Sequence, residues 1–219
     1  MANAWMPDAG RVRCAAPTGG ALLGGAPRAV WLTTESNPCT LSARAVAQWL
    51  VDNRRSSHLV WNPVSGETVQ ILPASAPAKG QLTTGGTDRA LEGRVCIVIR
   101  VIGHAFAPFT DTPLTGLSPI LGWLDSWGIP RRRPAGPPSA PPVARPVSAD
   151  DRLWARGGHF GHSQVPGACS SAPGAISWDR LLGSTPSGIR PVPLGPPPVL
   201  PAPGLEEHNE RTYAEVAGN

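Results

Sequence analysis

Val95 to Ile102 reads Val-Cys-Ile-Val-Ile-Arg-Val-Ile. Both alternating faces of this run are apolar, so it suits a central β-strand covered on two sides and little else. One residue resists. Arg100 falls on the face shared by Cys96, Val98 and Ile102. An unpaired buried guanidinium costs several kcal/mol, so Arg100 must reach an acidic partner, a ligand or the sheet edge.

The rest of the chain supplies partners for such a strand. Arg28 to Thr34 is a short, β-branched candidate strand. Ser57–Asn62 and Glu67–Leu72 flank the Pro63-Val64-Ser65-Gly66 turn and predict a hairpin. Alternation there puts His58 and Val60 on one face, Leu59 and Trp61 on the other. Leu41, Ala45, Val46, Trp49 and Leu50 recur at helical spacing, predicting a helix over Leu41–Asn53 capped by Thr40. A second helix is expected over Pro119–Trp127. Ser118 is its cap, Gly128 its stop, and Leu117, Ile120, Leu121, Leu124 and Trp127 its apolar stripe. Residues 73–93 and 103–116 read as loops, 130–150 as a Pro/Arg-rich connection, and Trp178–Leu182 as a short helix. The coarse order is β-α-β-β-β-α. It predicts an α/β (α+β) fold, a central mixed β-sheet with helices packed on it.

The 25 Gly and 27 Pro concentrate outside these segments. Residues 1–27 read as a mobile arm, 28–183 as the domain, and 184–219 as a Pro-rich disordered tail with a short terminal helix near 205–217. The formal charge of +4 comes largely from Arg-rich linkers such as Arg131–Arg133. No aromatic-interleaved basic motif or zinc-finger spacing points to nucleic acid. No run of about 18 apolar residues and no charged-then-apolar leader is visible, so a protein made in the cytoplasm, without a membrane partner, is expected. The four cysteines, Cys14, Cys39, Cys96 and Cys169, form no C-x-x-C pair. Cys96, in the apolar run, is expected as a core thiol. Gly-x-Ser-x-Gly, phosphate-loop and dinucleotide fingerprints are absent from the sequence.

Five stretches, in this order, carry a family resemblance. They are Trp31-Leu32-Thr33-Thr34-Glu35-Ser36, Ser57-His58-Leu59-Val60-Trp61-Asn62, Gly93-Arg94-Val95-Cys96-Ile97, Gly158-His159-Phe160-Gly161-His162-Ser163-Gln164-Val165-Pro166, and Ala172-Pro173-Gly174-Ala175-Ile176. Over residues 28–183 the chain resembles the zinc N-acetylmuramoyl-L-alanine amidases, the fold of phage amidase endolysins and peptidoglycan recognition proteins. The resemblance implies a hydrolase of the lactyl–L-Ala amide in cell-wall muropeptides, with peptidoglycan as partner, a monomer, and a wall-directed route that needs no leader of its own.

It also implies a zinc held by three protein ligands with one open position. The three corresponding positions are Leu32, His162 and Ala172; only His162 carries a donor atom. The family's Tyr before the hairpin strand is Ser57, and its acidic residue late in the central strand is Arg100. Cys169, His159 and His58 are the available substitutes beside His162. Glu35 is the candidate general base. Trp31, Thr33, His58 and Trp61 are expected on the substrate groove. The resemblance thus leaves three readings: a zinc amidase with a rebuilt site, a pseudoenzyme that binds muropeptide, or a chain with no ligand.

Overall fold

The structure is a computed structural model, and it describes residues 2–14, 20–83, 85–140 and 150–183. The expected tail helix near 205–217 lies outside the described residues.

Six strands form one mixed sheet. In chain order they are β1 (Gly10–Arg11), β2 (Arg28–Thr33), β3 (Leu59–Trp61), β4 (Thr68–Gln70), β5 (Cys96–Val101) and β6 (Gly158–Gly161). The spatial order is β1-β4-β3-β5-β2-β6. β3 and β4 are the antiparallel hairpin, and every other neighbouring pair is parallel. The helices are α1 (Ala43–Asp52), α2 (Leu117–Ser126), α3 (Asp151–Ala155) and α4 (Trp178–Leu182). Helices on a largely parallel sheet make this an α/β fold.

β5 sits between β3 and β2, where its two apolar faces require it to be. Its even-numbered residues Cys96 and Val98 join one core with Leu32, Val60, Val46 and Leu50. Its odd-numbered residues Ile97, Ile99 and Val101 join the other, with Trp31, Trp61, Ile120 and Leu124. α1 thus covers one face of the sheet and α2 the other.

The expected arm differs most from expectation. Gly10 pairs with Val69 in a parallel edge strand, and Met6 and Val12 are buried. The Asn3 carbonyl accepts the indole N–H of both Trp123 and Trp127. These anchors hold the start of the chain on the sheet, so residues 2–14 are part of the domain. Helix boundaries also shift. α1 is capped by Ser42, whose Oγ accepts from Ala45 N, not by Thr40. Glu67 of the hairpin adds a carboxylate to the α1 N-terminus through Ala43 N at 2.6 Å. α2 starts two residues early, because Gly116 takes the left-handed conformation and caps it in place of Ser118. Among the described residues no helix is long and apolar enough to cross a membrane.

Candidate functional site

The C-terminal ends of β2 and β6 bring the three sequence-predicted metal positions into one region. Leu32 lies near the end of β2, and His162 directly follows β6. Ser163 N donates to the Ala172 carbonyl at 2.7 Å, drawing the closing segment back beside His162. Leu32 and Ala172 are both buried in the core that α1 covers. Gly174 fastens this segment further: its φ is +79°, and a Cβ there would collide with the Ala105 carbonyl.

The donor set does not fit a zinc ion. Leu32 and Ala172 present only hydrocarbon. The His162 Nε2–H donates to the Leu82 carbonyl at 2.9 Å, and burial pushes its pKa down. One imidazole is no substitute for three ligands. The proposed replacements do not gather around it. Cys169 is exposed. The His159 ring lies 6.0 Å from that of Trp31, in the core on the opposite face of the sheet, and its Nδ1 accepts the Trp31 indole N–H. His58 is buried with both ring nitrogens engaged: Nδ1 accepts from Val98 N at 3.0 Å and Nε2–H donates to the Ala76 carbonyl at 2.8 Å. Among the described residues no group of three or more His, Cys, Asp or Glu side chains is placed to hold a metal.

Three of the four expected groove residues prove to be interior. Trp31 and Trp61 are fully buried, pack edge-to-face with ring centroids 6.3 Å apart, and satisfy their N–H groups on His159 and the Thr115 carbonyl. Indoles whose N–H groups are satisfied inside a core have no face left for a sugar or peptide. His58 is a buried link between β5 and the loop that follows the hairpin. Burial pushes its pKa down to about 4, against the opposing pull of its Ala76 bond.

Thr33 and Glu35, in contrast, stand at a real opening. Glu35 has a φ of +53° just past β2. Its carboxylate accepts from the Thr33 hydroxyl and from Ala105 N, with His104 Nδ1 3.9 Å away. Both residues line a cavity of about 620 Å³ between α1 and the C-terminal ends of β2 and β5. Leu41, Ala45 and Trp49 line its helical wall, and Arg55 and Arg100 its polar side.

This wall corrects the expected burial of α1. Ala43, Val46, Ala47 and Leu50 face the core, whereas Leu41 is 40 % and Trp49 52 % exposed. Of the five apolar positions noted in the sequence, Val46 and Leu50 are buried in the core and also reach the cavity, whereas Leu41, Ala45 and Trp49 line it from the exposed side. The signal was present: Leu41, Ala45 and Trp49 are spaced i, i+4, i+8 and widen the apolar arc beyond what one sheet face needs. Arg55, alone in a loop, gave no such signal.

Arg100 ties the cavity to the sequence-predicted metal positions. It pairs in register with Leu32 on the neighbouring strand, and on that face of the sheet the two side chains are neighbours. Its Nη2 donates to Gln81 Oε1 at 3.0 Å, while the buried Nε has no partner. Burial, and then the Arg55 charge, lower its pKa to about 10.

No known protein-family profile and no curated protein matches the chain. Among solved structures it is similar to the endolysin N-acetylmuramoyl-L-alanine amidase LysCS from Clostridium intestinale, at 13 % identity over 81 % of this chain and 95 % of that one, TM-score 0.49. It is also similar to the Ph2119 endolysin from a Thermus scotoductus bacteriophage, at 12 % identity over 80 % and 99 %, TM-score 0.47. A third similarity is to AmpD, at 16 % identity over 81 % and 94 %, TM-score 0.44.

Proposed function

We propose that this chain is a wall-directed domain that binds peptidoglycan fragments without hydrolysing them, on a scaffold whose sequence motifs resemble zinc amidases. The carrying observation is the fate of the three convergent positions. Leu32 and Ala172 lack donor atoms, and His162 is bonded to the Leu82 carbonyl. Hydrolysis of the lactyl amide by the family's chemistry needs a Lewis acid at that point, and these residues do not supply one. Glu35 remains as a carboxylate with three hydrogen bonds already accepted from Thr33 and Ala105. It orients the loop at the cavity mouth. What remains for a ligand is the cavity at the strand C-termini, the usual place for one in an open α/β sheet.

Co-sedimentation with isolated, protein-free peptidoglycan tests the reading, alongside elemental analysis after chelation and zinc return. The expected result is saturable sedimentation with well under one zinc per chain and no new amino termini released from the wall. Close to one zinc per chain with chelator-sensitive release of amino termini would make it an amidase. Absence of sedimentation would remove the wall ligand.

A further inference from the structure

The cavity beside α1 has an uncompensated charge. Three of its lining side chains are ionisable: Glu35, Arg55 and Arg100. Glu35 turns its carboxylate to Thr33, Ala105 and His104. Among the described residues, neither arginine lies within 4 Å of an acidic oxygen. Arg100 has one hydrogen bond, to a neutral amide, and a buried Nε–H aimed at no acceptor. Arg55, exposed at the mouth, repels it. Two guanidinium groups do not share a partly desolvated site without an anion unless something outside the chain compensates them. The opposite wall is hydrocarbon, with Trp49 and Leu41 open to solvent.

We propose that this cavity binds an organic carboxylate, its anionic head between Arg100 and Arg55 and its apolar body along Leu41, Ala45 and Trp49. The inference rests on reading the cavity as the domain's ligand groove, and it specifies the group that anchors there. A guanidinium presents parallel N–H donors that match the two oxygens of a carboxylate. The nearby Glu35 charge disfavours a dianion, so a single negative charge fits best. The volume of about 620 Å³ lies within the range of small-molecule sites. The carboxylate head can belong to a free organic acid or to the C-terminus of a short peptide, since the recognition is the same.

Trp49 reports on occupancy because it is half-exposed in the cavity wall. Tryptophan fluorescence is titrated with hexanoate, hexanol and hexylamine at neutral pH and constant ionic strength, with Trp49→Phe identifying the responding ring. The expected result is a saturable response to hexanoate, at least about tenfold weaker for hexanol and absent for hexylamine. Arg100→Gln is expected to weaken hexanoate by about tenfold or more and Arg55→Gln by a few-fold, reflecting their depths. Arg55 is exposed, so its variant keeps the test valid even where Arg100→Gln disturbs folding. N-acetyl-leucyl-leucine with a free or an amidated C-terminus then separates a peptide source from a free acid. Hexanol binding as well as hexanoate, no saturable response to hexanoate, or hexanoate affinity unchanged in Arg55→Gln and in a folded Arg100→Gln would each overturn the proposal. None of these probes contains wall chemistry. Hexanoate binding without sedimentation on peptidoglycan therefore removes the wall reading alone, and the converse removes the carboxylate anchor alone.

Discussion

Mild acid should destabilise this domain through His58 and His159. His58 and His159 are both buried and neutral, and burial lowers their pKa values from 6.5 to about 4 and about 3 respectively. The unfolded chain takes up protons at its ordinary pKa, whereas the folded chain does not. Stability is therefore complete above about pH 6.5 and is lost as pH falls toward the folded values. Between pH 7 and pH 5 each histidine withdraws about 2 kcal/mol, so the pair withdraws about 4 kcal/mol. A domain of this size has about 5–15 kcal/mol in total, so the loss is a large share of it. His162, also lowered by burial, acts in the same direction. Ordinary carboxylates titrate mostly below this window. Urea denaturation at pH 7 and pH 5 measures the effect. His159→Gln keeps an acceptor for the Trp31 indole N–H but cannot titrate. Its stability at pH 7 is secondary; its loss between pH 7 and 5 should be smaller than the wild-type loss by about 2 kcal/mol. A wild-type stability that is flat across this window, or an unchanged slope in His159→Gln, would refute the argument that these rings are held neutral by burial.

Two more outcomes follow from the same face of the sheet. Leu32→His with Ala172→Asp should raise zinc content from near none to about one per chain by elemental analysis; no gain would count against matching these positions to zinc ligands. Arg100→Met should stabilise the free protein at neutral pH. The lowered Arg100 pKa bounds the burial cost near 3 kcal/mol, and losing the Gln81 bond offsets about 1 kcal/mol. The expected gain of about 1–2 kcal/mol is read as a Tm rise of several degrees, and a loss of stability would show that Arg100 serves the core instead of a ligand.

The sequence alone determined the sheet's middle and its hairpin. An eight-residue run apolar on both faces has nowhere to go but between two layers, and β5 lies there between β3 and β2. The Pro63–Gly66 turn fixed the pairing of β3 with β4 in the same local way. Helix α1 was legible as a helix, because periodicity is a property of neighbours in the chain. Which of its apolar residues face the core was not, because Trp49 and Leu41 acquire their exposure only from what the opposite wall leaves open. The same limit governed the site. Leu32 stands near the end of β2 and His162 directly after β6, while Ser163 N bonds the Ala172 carbonyl. Burial was settled by distant partners: Trp31 by His159, 128 residues away, and Trp61 by Thr115. Residues 2–14 lack any periodicity, yet Met6, Gly10 and Val12 are held by β4 and α2. Met6 bonds to Gln70, 64 residues away, and Asn3 to Trp123, 120 away, so no local pattern encodes these contacts, and only the folded sheet edge offers the backbone groups and apolar surface that bind them.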